Sequence, residues 1–161
     1  MGNKNTLPEL GGDPMTSNLD RSKAVDDAYN ARNWEAWGSF LNESFSLTTM
    51  GSTKKQGKTE ALHAVKGFCL TFPDNHVHNA PYIVALSDGE WTCTIAGLTG
   101  TMTGPFTTPD GRVMEPTNRP FESSFPTITR WVDGKIVEQY ELFDTPGIMQ
   151  QISATAREEQ K

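Results

Sequence analysis

The stretch DGKIVEQYELFDTPGIMQQI, residues 133–152, carries the side chains best placed to move a proton. Asp133-Gly134 reads as a turn, and the alternating pattern after it reads as a strand. Side chains alternate across a strand. Ile136, Glu138, Tyr140, Leu142 and Asp144 therefore share one face, and Val137, Gln139, Glu141 and Phe143 share the other. An acid such as Asp144 resists ionising in apolar surroundings, because burial disfavours the charged form. It could then give or take a proton at neutral pH. The same carboxylate could instead cap the helix that Thr145-Pro146 opens, by accepting backbone N–H groups near Gly147. The residues leave both jobs open, and the two conflict because a cap works best ionised. Glu141, on the face opposite Asp144, is expected to be solvated or paired across a dimer surface. It becomes the second candidate acid if the strand register slips at a bulge. Glu138 shares Asp144's face but lies roughly 20 Å along the strand, near the other rim.

Other residues could assist. His76 and His78, two apart on one strand face, make a two-ligand arm for a metal. No third and fourth ligand accompanies them, so no metal is expected. His76 is kept as a further proton carrier and His78 as a substrate contact. Tyr140 could orient a substrate oxygen through its hydroxyl, or pack with that hydroxyl satisfied at a rim. Trp91 and Phe125 are flat walls for an apolar ligand, or ordinary core. Cys69 and Cys93 form neither a CxxC pair nor a zinc spacing, and both read as buried thiols. Without GxSxG, a Walker loop or GxGxxG, nucleophilic catalysis and nucleotide cofactors are not expected.

The elements that must position these residues can be read in order. Residues 1–18 combine glycine and proline with few large apolar groups and read as a mobile arm. A helix follows to about Ala31, with Leu19, Val25, Ala28 and Tyr29 on one face. Asn33 caps a second helix whose Trp34, Trp37, Phe40 and Leu41 recur at three- and four-residue spacing. Phe45–Met50 is a short strand, and Thr59 caps a third helix. His76–Leu86 reads as one strand, turned at Asp88-Gly89 into a Thr-rich strand from Trp91. Gly97 and Gly100 suggest bulges there, and Pro126 suggests that strand 121–132 is an edge or bulged. With 133–144, these strands make an antiparallel meander.

The net charge of −6, with no Lys/Arg cluster, disfavours nucleic acid as a partner. No run of 18 apolar residues and no signal-like N-terminus is present, so a soluble cytoplasmic protein without membrane contact is expected.

The pattern Gly134-Lys135-Ile136-Val137-Glu138, Tyr140, Asp144, Met149, Gln151-Ile152 resembles the closing motif of SnoaL-like polyketide cyclases, within the nuclear-transport-factor-2-like superfamily. The motif often carries Trp where this chain has Tyr140. The order of helix, helix, strand, helix and long strands, and the phrase Phe72-Pro73-Asp74, resemble the same layout. The resemblance covers about Leu19–Ile152 and implies an α+β cone, a curved antiparallel sheet wrapped on N-terminal helices around a pocket. It sets the domain at 19–156 with a tail at 157–161. It implies cofactor-independent acid/base chemistry of the cyclase or isomerase kind on a small apolar oxygen-bearing molecule. Asp144 would shuttle the proton, Tyr140 would position it, and Trp37 would be both core and pocket wall. A homodimer through the outer sheet face is implied on the same ground. The competing expectations are a non-catalytic binding or dimerisation module and a hydratase or epoxide-hydrolase-type enzyme, since one fold hosts many functions.

Overall fold

The structure, a computed structural model, describes residues 17–108 and 110–153. Most of the expected N-terminal arm, residues 154–156 of the expected domain and the expected tail 157–161 lie outside the described residues. Helix α1, Asn18–Asn30, starts from a reciprocal cap: Ser17 Oγ accepts from the Asp20 N–H at 3.0 Å, and the Asp20 carboxylate accepts from the Ser17 N–H. Its buried residues Val25, Ala28 and Tyr29 fall on one face. Helix α2, Trp34–Ser39, is capped by Asn33, whose Oδ1 accepts from the Ala36 N–H at 3.1 Å. Helix α3, Lys58–Thr71, begins one residue before Thr59, with Gly57 at the cap position and no side-chain cap bond.

One seven-stranded sheet wraps these helices. The strands are β1 (Leu41–Thr49), β2 (Lys55–Gln56), β3 (His76–His78), β4 (Val84–Asp88), β5 (Trp91–Thr101), β8 (Pro120–Val132) and β9 (Lys135–Glu141). A separate hairpin joins β6 (Phe106–Thr107) to β7 (Val113–Met114). The sheet order is β2-β1-β9-β8-β5-β3, with β4 also pairing with β5. The meander β4-β5-β8-β9 is antiparallel, whereas β1 and β9 run parallel. The mixed α+β architecture, with a curved open sheet over N-terminal helices, is the expected one. Among the described residues, no helix is long and apolar enough to cross a membrane.

Local expectations are corrected at several points. The strand expected over 76–86 is two, because the segment between His78 and Val84 leaves the ladder while β5 advances only from Gly97 to Ile95. Gly97 and Gly100 mark no bulge: β5 and β8 pair without a break from Trp91↔Arg130 to Thr101↔Pro120. Gly100 is needed because a Cβ there would come within 2.8 Å of the Phe121 ring. Pro126 lies in a central strand. Its partner Ile95 gives its carbonyl to the Ile83 N–H at 2.8 Å, so β5 asks no N–H of Pro126. On its other side β9 has ended at Glu141, and the Pro126 carbonyl accepts from the Leu142 N–H at 3.0 Å.

The bulge that matters lies in β9. Trp131 pairs with Ile136, yet Arg130 pairs with Glu138, so Val137 is an extra residue. Inward-facing Ile136 is therefore followed by inward-facing Gln139 and Glu141, with Glu138 and Tyr140 turned outward. Helix α4, Thr145–Ser153, closes the fold by burying Ile148 and Ile152.

Candidate active site

Between the helices and the inner sheet face lies a cavity of about 230 Å³. Its walls are mainly apolar, with Trp37 from α2, Phe68 from α3, Phe125 and Trp131 from β8, and Phe143 beyond β9. The helix α1 face contributes Ser22, Val25, Asp26 and Tyr29, the i, i+3, i+4, i+7 stripe of one helix side. Among the described residues, the lining holds two acids and no Lys, Arg or His.

The first acid is Glu141. The bulge at Val137 turns it inward, and its carboxyl makes no hydrogen bond with the protein among the described residues. Burial alone pushes it from 4.5 up to about 7, so it can exchange a proton at neutral pH. The second is Asp26, which burial raises from 3.8 to about 6. Tyr82, in the segment before β4, donates its hydroxyl to Asp26 Oδ2 at 2.6 Å and opposes that rise. Tyr29 offers the cavity its ring only: its hydroxyl donates to Asn75 Oδ1 at 2.6 Å. Burial and the neighbouring Cys69 push that hydroxyl further up, so it stays protonated. On the inner face Thr94 and Thr127 share a hydrogen bond at 2.9 Å, and Trp131 Nε1 donates to Thr92 at 3.1 Å.

Of the residues singled out in the sequence, the structure brings Trp37, Phe125 and Glu141 to the cavity. It puts the others elsewhere. Asp144 is exposed and caps α4, its Oδ1 accepting from the Gly147 N–H at 3.0 Å. A Cβ at residue 147 would collide with that carboxylate, so Gly147 makes room for the cap. Tyr140 faces outward and donates to Glu138 Oε1 at 2.5 Å. His76 and His78 are exposed with ring centres 4.8 Å apart, and His78 Nε2 lies 2.9 Å from Thr99 Oγ1. Trp91 is 37% exposed on the outer sheet face. Among the described residues, no group of three or more potential metal ligands occurs. Asp26 and Tyr82 escaped the sequence reading. The signal for Asp26 was available, because a carboxylate inside the Ser22–Val25–Tyr29 stripe is a charged group on a buried helix face.

An open sheet cupped over helices, with an acid-bearing apolar cavity inside, defines a cone of the nuclear-transport-factor-2 and ketosteroid-isomerase-like type. The chain belongs to the SnoaL-like polyketide cyclase family, whose family model matches residues 20–152. Comparison with curated proteins gives no match. Solved structures share the fold at low identity. A candidate SnoaL-like polyketide cyclase from Jannaschia sp. CCS1 superposes with a TM-score of 0.74 at 20% identity, over 89% of this chain and 97% of that one. IdmH, a candidate polyketide cyclase from Streptomyces antibioticus, gives 0.73 at 19%, over 86% and 100%. AclR, a candidate hydroxylase from Streptomyces galilaeus, gives 0.72 at 15%, over 87% and 85%.

Proposed function

We propose that the cavity is the active site of a cofactor-independent acid/base enzyme of the cyclase or isomerase kind, acting on a small, mostly apolar, polyketide-like carbonyl compound. Glu141 takes the proton-carrying role that the motif resemblance implied for Asp144. One observation carries the reading: Glu141 sits in an apolar cavity without a protein hydrogen bond and is pushed to about 7. At that value it is half protonated under neutral conditions, the state a proton carrier needs. The aromatic walls supply the rest by excluding water and holding the substrate in one conformation.

The test uses 2-tetralone, an apolar two-ring ketone, and follows exchange of its α-protons into deuterium oxide by NMR. The protein accelerates exchange above buffer, and Glu141→Gln lowers that acceleration by about 100-fold, the usual worth of a general acid or base. Affinity for 2-naphthol, which has the shape of the enol, stays within about threefold. Binding of 2-naphthol with no exchange by the wild type would favour a binding module. Unchanged exchange in Glu141→Gln would remove Glu141 from the chemistry.

We also propose that a second copy covers the outer sheet face, where Leu86, Cys93, Ile128 and Tyr140 lie in one register row. Leu86 is 63% exposed there, and Cys93, Ile128 and Tyr140 beside it are partly exposed, so the row offers a continuous contact line to a second copy. Sedimentation giving a monomer at micromolar concentration would contradict this.

A further inference from the structure

We propose that Asp26, held by Tyr82, is the second proton-transfer group of the cavity, so that the site works as an acid/base pair on neutral ketones. The inference rests on the acid/base reading of Glu141 and adds its partner. Asp26 lines the same cavity from α1, and only its Oδ2 is tied, by the Tyr82 hydroxyl at 2.6 Å. Its Oδ1 has no protein partner among the described residues and is not sealed off from solvent-sized molecules. A carboxylate kept for structure at this depth would be expected to have a cation. The nearby cation, Lys23, is instead paired with exposed Asp27 at 2.8 Å, and Asn79 also donates to Asp27. Asp27 and Lys23 on its own helix, and Tyr82 from the segment before β4, are the ionisable groups that act on Asp26.

The two acids are equipped differently. Tyr82 donates a hydrogen bond that favours the Asp26 carboxylate, while Glu141 has no protein donor and apolar neighbours that favour the neutral acid. Environments that separate two carboxyls in this way assign the base to one and the acid to the other. Asp26 takes a proton from the carbon beside a carbonyl. The C–H electron pair becomes the enol C=C bond, and the carbonyl π pair takes a proton from Glu141 on oxygen. In a cyclising substrate the same C–H pair forms a C–C bond to a second carbonyl carbon, whose oxygen takes that proton. Nothing is oxidised or reduced, Asp26 ends protonated and Glu141 ends as the carboxylate. The cavity carries one negative charge before and after, which suits a lining without cations. An anionic carboxylate or phosphate ligand would meet that charge uncompensated, so the ligand class is neutral.

The same 2-tetralone exchange assay tests this. Asp26→Asn keeps the volume and an acceptor for Tyr82, and it lowers exchange by about 100-fold. Binding of 2-naphthol within about threefold shows that the cavity is intact. Tyr82→Phe lowers exchange less and moves the acid limb of its pH profile upward, because Asp26 loses the donor that stabilises its anion. Wild-type exchange in Asp26→Asn, with Glu141→Gln inactive, would overturn the pair and leave Glu141 acting alone. An acid limb unmoved in Tyr82→Phe would overturn Tyr82's role. No exchange by the wild-type protein would overturn the acid/base reading and this proposal together.

Discussion

Enclosing Glu141 makes the protein less stable at high pH than at low pH. In the unfolded chain Glu141 titrates near 4.5, and in the fold it is pushed up to about 7. Between those values the folded state holds a proton that the unfolded state has released, so stability falls as pH rises through the window. Below 4.5 both states are protonated and no penalty exists. Above 7 it is complete, at about 3 kcal/mol for that separation. Glu141→Gln keeps the shape, stays neutral throughout and lacks the penalty. Urea unfolding of both proteins at pH 5 and pH 8 measures the effect. The variant should gain about 2–3 kcal/mol on the wild type between the two pH values, an urea midpoint change of roughly 1 M at a typical slope. Asp26 is raised in both proteins and largely cancels in the comparison. Parallel pH dependences would refute the reasoning, because they would mean that the Glu141 carboxylate is solvated in the fold.

Three further outcomes follow from individual contacts. Asp144→Ala removes the α4 cap and should cost about 1 kcal/mol in urea unfolding, with 2-tetralone exchange unchanged; a loss of exchange without a loss of binding would restore Asp144 to the chemistry. Tyr29→Phe leaves buried Asn75 Oδ1 without the donor it has at 2.6 Å, and thermal unfolding should show a loss of about 1–3 kcal/mol. Gly104→Ala drives a Cβ into the Leu70 carbonyl of α3. It should lower the midpoint by several degrees, at least about 2 kcal/mol, and an unchanged midpoint would show that this contact yields freely.

Much of the fold was legible because local chemistry and global architecture agree. Val25, Ala28 and Tyr29 repeat with helical spacing, Asn33 caps where its side chain can reach Ala36, and Asp88-Gly89 turns where two strands must meet. The site was less legible. Assigning faces along 136–144 assumes a strict period of two, and a single extra residue inverts every later side chain. Nothing in Ile136-Val137-Glu138 marks Val137 as that residue, because the bulge depends on how β8 and β1 pair with β9. The inversion takes Tyr140 out of the cavity and puts Glu141 in it, while Asp144 is left to the helix that follows. Trp37 and Phe125 line the cavity, since apolar residues on helix and sheet faces serve core and pocket alike. Trp91, of the same character, falls on the outer face.

Glu141 faces an apolar cavity as a carboxyl poised near neutrality. A carbon-13 NMR titration of the glutamate side-chain carboxyls, with Glu141→Gln to assign the resonance, measures this directly. The Glu141 midpoint should fall at about 7 and be displaced when 2-naphthol is added. A midpoint near 4.5, indifferent to 2-naphthol, would contradict it.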